Sequence, residues 1–277
     1  MNKKETEFLL TKIWQNPLYY EKCHQHNLLI QKNPWFRKIK NYCQGAKKVL
    51  DVGCGEGTNL IHLAPPSAQK FGIDLSPLAI KIARQQYPEN RYEVAAAQEL
   101  PFSDNYFDCV YTIAVLEHLA DPQKALKEMI RVCAPEGKII IFTVNLGSPL
   151  FRSPVDQRSP LAIITQTLKT EIRLLWPGRQ HSLQWRKVKP RLKSIADYEP
   201  DRDILNEPYL LSLIKFFSNQ TKVKIIEASS EWLFTADEIF RPFFRRIIKL
   251  LYYTGILRIY PFKYWGRLLF MVLEKEK

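Results

Sequence analysis

Short apolar runs and helical periodicities alternate along the middle of the chain. Lys48–Val52 is an apolar run ended by glycines and reads as a buried strand. Phe71–Asp74 is a second such run. Pro77–Arg84 follows a helical period, with Ser76 as its N-cap and Pro77 in its first turn. Arg91–Ala95 and Phe107–Thr112 read as a third and a fourth strand. Pro122–Val132 reads as a helix capped by Asp121, Pro135–Gly137 as a turn, and Lys138–Thr143 as a fifth strand. Strands that alternate with helices of this length imply right-handed crossovers and a parallel sheet. Further on, Pro208–Phe217 reads as a helix, Val223–Ile226 as a sixth strand and Leu268–Leu273 as the last.

The flanks differ from this middle. Residues 1–45 read as an amphipathic helical segment anchored by Trp14, Tyr19, Tyr20, Trp35 and Phe36. Residues 146–206 carry prolines at 149, 154, 160, 177, 190 and 200. That stretch is too long for a plain connection, so it is expected to be an inserted lid with its own helices, Leu161–Trp176 among them. The remaining expectation is one domain over 46–277.

Composition changes this picture in three places. With 277 residues and 46% hydrophobic content the chain can bury a sizeable core. No run of about 18 uncharged apolar residues occurs, and Met1–Leu10 lacks the apolar stretch of a secretory signal. The expectation is a cytoplasmic protein. The five cysteines are scattered without a CxxC pair, which fits reduced thiols. Cys23-His24-Gln25-His26 has no second cluster at zinc-finger spacing, so no metal is expected. The net charge of +13 is concentrated late: Ile239 to Arg267 holds seven Lys/Arg and no Asp/Glu. Such a segment suggests a surface for an anionic partner.

The chemistry-bearing residues sit in the first half. Val49–Gly57 follows the first strand, and Gly53 and Gly55 let the backbone turn sharply and approach a ligand. Ligands in open parallel sheets bind at the carboxyl ends of the strands. A glycine loop alone also suits a nicotinamide enzyme. Here the spacing is GxGxG, Asp51 lies inside the strand ahead of it, and Asp74 ends the next strand, where a carboxylate can accept both hydroxyls of a ribose. Asp74 also reads as a cap for the helix from Pro77.

Val49–Gly57 resembles motif I of class I methyltransferases dependent on S-adenosyl-L-methionine (SAM), and Gly72–Ser76 is similar to their second motif. Leu100–Asp108, Val115–Leu119, Asp121-Pro122, Glu128–Val132 and Pro135–Gly137 resemble the segments that follow, in the same order. The resemblance covers roughly residues 48–145 and is nearest to small-molecule enzymes of the ubiquinone and menaquinone pathway type. It implies a Rossmann-like α/β fold: a mainly parallel seven-stranded sheet with the last strand antiparallel, helices on both faces, and a lid after strand five. It implies SAM as cofactor. Gly53 and Gly55 would pass the methionine part, with Asp51 orienting their loop. Asp74 would hold the ribose, Leu75 would pack on the adenine, and the Ile113 backbone would meet the amino-acid end. Ala96 and Ala97 match a pair near the adenine where relatives often carry Asp first; Ala96 cannot bind the adenine amino group, which leaves Gln98 or water.

The sulfonium is already a good methyl donor, so transfer asks chiefly for an aligned nucleophile. An oxygen nucleophile can also need a base, and His118 is the candidate; its alternative role is to cap or pack a helix start. The segment after strand five shapes the acceptor pocket in such enzymes, with Trp176, Trp185, Tyr198, Arg186 and Arg191 as candidate lining. Residues 239–267 mix basic side chains with aromatics, which suits a peripheral membrane surface and a lipid-linked or glycan acceptor, or else a helical cover for the sheet. Nucleic acid is disfavoured: Thr112–Val115 lacks the Asn/Asp-Pro-Pro-aromatic motif of base-methylating relatives. Two other readings stay open, a non-catalytic SAM-binding partner or sensor and a nicotinamide-dependent oxidoreductase.

Overall fold

The computed structural model describes residues 13–31, 33–151, 153–176, 182–191, 202–231 and 259–277. Helices α1 (Pro17–Ile30) and α2 (Pro34–Cys43) precede strand β1 (Lys48–Val52). Then come α3 (Thr58–Leu63), β2 (Gln69–Asp74), α4 (Pro77–Gln86), β3 (Arg91–Val94), β4 (Phe107–Ile113), a 3-10 turn at Leu116–His118, α5 (Pro122–Val132) and β5 (Cys133–Val144). The second half supplies α6 (Pro160–Leu175), the two-residue strands β6 (Arg186–Lys187) and β7 (Asn206–Glu207), α7 (Leu210–Ser218), β8 (Val223–Glu231) and β9 (Leu268–Lys275).

Seven strands form one sheet in the order β3-β2-β1-β4-β5-β9-β8. The pairs from β3 to β5 are parallel, and β9 runs antiparallel to both neighbours. The strand period of two sorts side chains to two cores. Leu50, Val52, Ile139, Ile141, Leu269 and Met271 face α5 and α7; Val49, Ile140, Phe142, Phe270 and Val272 face α2, α3 and α4. Phe107 and Cys109 break the period, since both are odd-numbered yet face opposite cores. The β4–β5 register shifts between them, the two steps from Phe107 to Cys109 spanning the five from Cys133 to Lys138. The residue between them, Asp108, accepts from the backbone N–H of Lys47 and Lys48 at 2.8 Å each and so fixes the start of β1.

The expected elements appear with shifted ends. The strand predicted from Lys138 begins at Cys133, so the predicted turn at Pro135–Gly137 is absorbed into β5, with Glu136 at φ 64°. The strand predicted over Val223–Ile226 reaches Glu231 across a second register shift, which restores the inward-facing alternation. The described part of residues 146–206 holds the helix α6 and, at its end, the two-residue β6–β7 ladder. Of the basic aromatic segment 239–267, residues 239–258 lie outside the described residues, as does Tyr198.

Candidate active site

The strand order reverses at β1, whose neighbours β2 and β4 leave in opposite directions along the chain. A crevice forms beyond the carboxyl ends at such a point. The glycine loop lies there. Gly53 and Cys54 both donate to the Ile73 carbonyl at 2.8 Å, which hooks the loop over the end of β2. Gly53 has φ 80°, and a Cβ there would meet the Val115 side chain at 2.3 Å, so only glycine fits.

Asp74 closes the loop from the other side. Its Oδ2 accepts from Gly55 N and its Oδ1 from Ser76 N, each at 2.9 Å. Ser76 in turn caps α4 through Ala79 N. The capping and ligand-facing readings of Asp74 therefore coexist: it braces the helix entrance while half-exposed at the crevice. Leu75 beside it is 55% exposed, a large apolar side chain left open next to a carboxylate. Asp51 is buried in β1 and accepts from the Tyr111 hydroxyl at 3.1 Å.

The loop carries a third acid that the sequence reading passed over. Glu56 is 1% exposed and accepts from Asn27 Nδ2 at 3.1 Å, with His24 Nδ1 at 3.4 Å. An acid among closely spaced glycines was the available signal. Burial pushes the Asp51 carboxyl well above the usual carboxylate range; the Tyr111 bond opposes this, and the charges of Asp74 and Glu56 add to it. Burial also raises Asp74, against the pull of the Ser76 and Gly55 N–H groups. Among the described residues neither Asp51 nor Asp74 has a lysine or arginine partner.

Helix α1 and the turn before it cover this crevice. The Trp14 carbonyl accepts from Ser76 Oγ and from the Tyr20 hydroxyl, and His24 Nδ1 lies 3.0 Å from Thr58 Oγ1. So His24 serves the loop. Burial, followed by the charges of Glu56, Asp203 and Asp74, pushes the nearby Cys23 thiol up to about 12. That acidic surround marks Cys23 as no nucleophile at neutral pH.

At the far edge of the crevice β4 ends in Ile113, half-buried, followed by Ala114 at φ 54°. A non-glycine residue in this region is strained, and here the strain turns the chain into Leu116–His118. Ala97 is buried with Leu50 and Phe71, so its side chain is core packing, while Gln98 is half-exposed beside it. His118 lies against Trp14, Asp203 and Glu117. It does not cap α5; Asp121 does, accepting from Lys124 N at 3.0 Å. A cavity of about 330 Å³ begins two residues after His118, lined by Ala120–Gln123, Leu183, Trp185, Lys187 and Asn206.

Of the expected acceptor-lining residues that are described, Trp185 lines this cavity. Arg186 instead pairs with Glu207 and reaches Asp156 at 3.2 Å. Arg158 joins them, 2.6 Å from Asp156. Two guanidiniums and two carboxylates thus pin the β6–β7 ladder to residues 153–158. Trp176, at the end of α6, is 66% exposed.

Residues 50–141 match the model of a methyltransferase domain. Norajmaline N-methyltransferase of Rauvolfia serpentina is 41% identical over 132 residues, 44% of this chain and 45% of that protein. Demethylmenaquinone methyltransferase of Paenarthrobacter aurescens is 31% identical over 152 residues, 50% of this chain and 60% of that protein. The chain thus spans about half the length of these curated relatives. Among solved structures, the plantazolicin methyltransferase BpumL in complex with SAH superposes with a TM-score of 0.54 at 16% identity, over 99% of this chain and 97% of that one. That likeness is one of fold. The matched residues hold the glycine loop and the acid ending β2 within this sheet order: over residues 50–141 this chain is similar to a methyltransferase domain.

Proposed function

We propose that the protein transfers the methyl group of SAM to a small-molecule acceptor, lipid-linked or glycan in nature, with His118 as the base. One observation carries the choice of cofactor: Asp51, Glu56 and Asp74 crowd the glycine loop, two of them with raised pKa values. Such a crevice favours a cation. SAM brings a sulfonium and an ammonium; a nicotinamide dinucleotide would bring a pyrophosphate against Glu56, with only the six-residue α3 to offer its N-terminus. The residues therefore fit SAM and weigh against the nicotinamide reading.

The cofactor supplies an activated methyl group. The chain holds and orients. Asp74 accepts hydroxyl hydrogens, Leu75 offers an apolar face to a ring, Gly53 and Gly55 allow close approach, and Asp51 stiffens the loop beneath. Gln98, half-exposed beside Ala97, offers a polar side chain to the adenine. Acceptor binding falls to the lid, where Leu183 and Trp185 provide apolar walls and Lys187 and Asn206 polar ones. This mixture suits a small amphipathic molecule. The relatives named for norajmaline and for demethylmenaquinone support a small-molecule acceptor. A peripheral membrane contact through 239–267 accords with the seven basic residues there; no helix among the described residues is long and apolar enough to cross a membrane.

The test is calorimetry with SAM and S-adenosylhomocysteine on wild type and on Asp74→Ala. Binding in the micromolar range, weakened at least about tenfold by the substitution, is expected. A folded wild type that binds neither ligand overturns the reading. Binding without methyl transfer to any acceptor in a cell extract would favour the partner or sensor reading instead.

A further inference from the structure

Asp203 lies far from the methyltransferase motifs, in the chain just before β7, yet it ends beside His118. The path is visible in the backbone. Leu205 N donates to the Glu117 carbonyl at 2.8 Å, and Asn206 Nδ2 donates to the Leu119 carbonyl. These bonds clamp residues 203–206 onto the 3-10 turn that bears His118. Asp203 is fully buried, and its Oδ2 lies 3.5 Å from His118 Nδ1 and 3.4 Å from Trp14 Nε1. Its Oδ1 has no hydrogen-bond partner. A buried carboxylate with one oxygen unsatisfied is costly, and such a cost persists where a nearby group needs the charge.

Three groups among the described residues face His118. Asp203 is on the Nδ1 side. Glu117, also fully buried, has Oε1 4.0 Å from Nε2, beyond hydrogen-bond reach, while its Oε2 accepts from Thr143 Oγ1 at 2.6 Å. Trp14 stands edge-on to the imidazole at 6.5 Å between centroids. Cys23 feels the Asp203 charge as well. Of the imidazole and its two carboxylates only the imidazole is exposed, over 14% of its side chain.

We propose that Asp203 is a positioning residue for His118: it holds the Nδ1–H side of the imidazole so that Nε2 receives the proton lost by the acceptor. This rests on the methyl-transfer reading above. In that step the acceptor's X–H pair forms the new bond to the methyl carbon. The carbon–sulfur bond breaks, its electrons leave with sulfur as a neutral thioether, and the proton passes to His118. The imidazolium so formed faces Asp203, whose charge stabilises it. Trp14 links the two ends of the crevice, its carbonyl on Ser76 beside Asp74 and its indole on Asp203. The acceptor is thereby one whose attacking atom carries a proton.

The test follows the His118 ring by ¹⁵N NMR across pH in the full chain, assigned with His118→Gln, in wild type, Asp203→Asn and Trp14→Phe. In Asp203→Asn the His118 midpoint falls by about one unit and the Nδ1–H tautomer preference weakens. In Trp14→Phe, which leaves the carboxylate to the imidazole alone, the midpoint rises. Should Asp203→Asn not fold, the Trp14→Phe shift decides. A His118 titration unchanged in every folded variant overturns the pairing. SAM binding is measured on the same wild-type sample; its absence overturns the methyl-transfer reading, and the role given to the pair with it, independently of the titration.

Discussion

Asp51 illustrates how a single residue trades stability for binding. Its raised pKa means that the folded state holds the proton more tightly than the unfolded chain. Stability from this group is therefore fully present below the ordinary aspartate pKa and is lost as pH rises through the folded value; Asp74 acts with the same sign. Above the folded values the ligand-free protein bears the cost of holding these buried carboxylates charged. Asp51→Asn keeps an acceptor for Tyr111 and removes one charge, so the ligand-free Tm should rise by about 2–4 °C, as ~1 kcal/mol does in a domain of this size. SAM affinity should fall at least about tenfold in the same variant. Wild-type affinity should also weaken as pH drops from about 8 to about 5, because a cationic ligand must displace protons from these carboxylates. Thermal melts and calorimetry check both; a lower Tm with unchanged affinity would show that Asp51 is structural only. The grouping of Asp51, Gly53, Gly55 and Asp74 was legible in sequence because it follows from backbone position along one strand–loop–strand unit. Asp203 was not, because its place depends on a lid whose path no local pattern encodes.

At the scale of elements, the stretch Leu100–Tyr106 has no regular structure between β3 and β4, yet it is held firmly. Arg131, near the end of α5, donates to Glu128 through two nitrogens at 2.8 Å each. It also donates to the Leu100 and Phe102 carbonyls and to Asp104. Glu128 accepts from Leu100 N. The loop's aromatics Phe102 and Tyr106 pack edge-on to Phe71 of β2. One guanidinium fork therefore fixes a loop against a helix. The planar fork matters more than the charge. Arg131→Ala should cost about 2–3 kcal/mol, most of it from the lost donors to the two carbonyls and the carboxylate of Glu128, because the exposed Asp104 pair is screened. Arg131→Lys should recover less than half. Glu128 contributes with the opposite sign to Asp51: its lowered pKa, due first to Arg131, gives stability that is present above the ordinary carboxylate range and lost as pH falls through the folded value. Denaturant unfolding of the two variants checks the ranking, and equal loss in both would refute the geometric account. The helix and strand bodies could be read from periodicity alone. What could not be read were the register shifts at Phe107/Cys109 and Ile225/Glu227, because an odd number of extra residues, three on β5 and one on β8, leaves hydrophobicity unchanged while altering which faces pair.

For the molecule as a whole, the two N-terminal helices are attached by different physics. Helix α2 buries Trp35, Phe36, Ile39 and Cys43, with Trp35 stacked on Phe142 at 3.8 Å, and so belongs to the core. Helix α1 buries Tyr20 alone among its described side chains. It is held at the crevice by polar contacts: Asn27 and His24 on Glu56 and Thr58, and the Trp14 carbonyl on Ser76. Each such contact is worth about 1 kcal/mol, far less than an apolar face buried against the sheet. Helix α1 should therefore open locally at low cost while the sheet stays closed. Its partners Glu56, Thr58 and Ser76 are the groups a bound SAM would order, so binding and closure should favour one another. Hydrogen exchange makes this measurable. Without ligand, amides of residues 17–30 should exchange at least about tenfold faster than those of α2, β1 and β4. Saturating S-adenosylhomocysteine should slow α1 by at least about tenfold and leave α2 nearly unchanged. Equal protection of α1 and α2 without ligand would mean that apolar packing, not the crevice, holds α1. Slowing confined to the glycine loop would separate cofactor binding from closure, and the N-terminal helix would then be a fixed wall of the site.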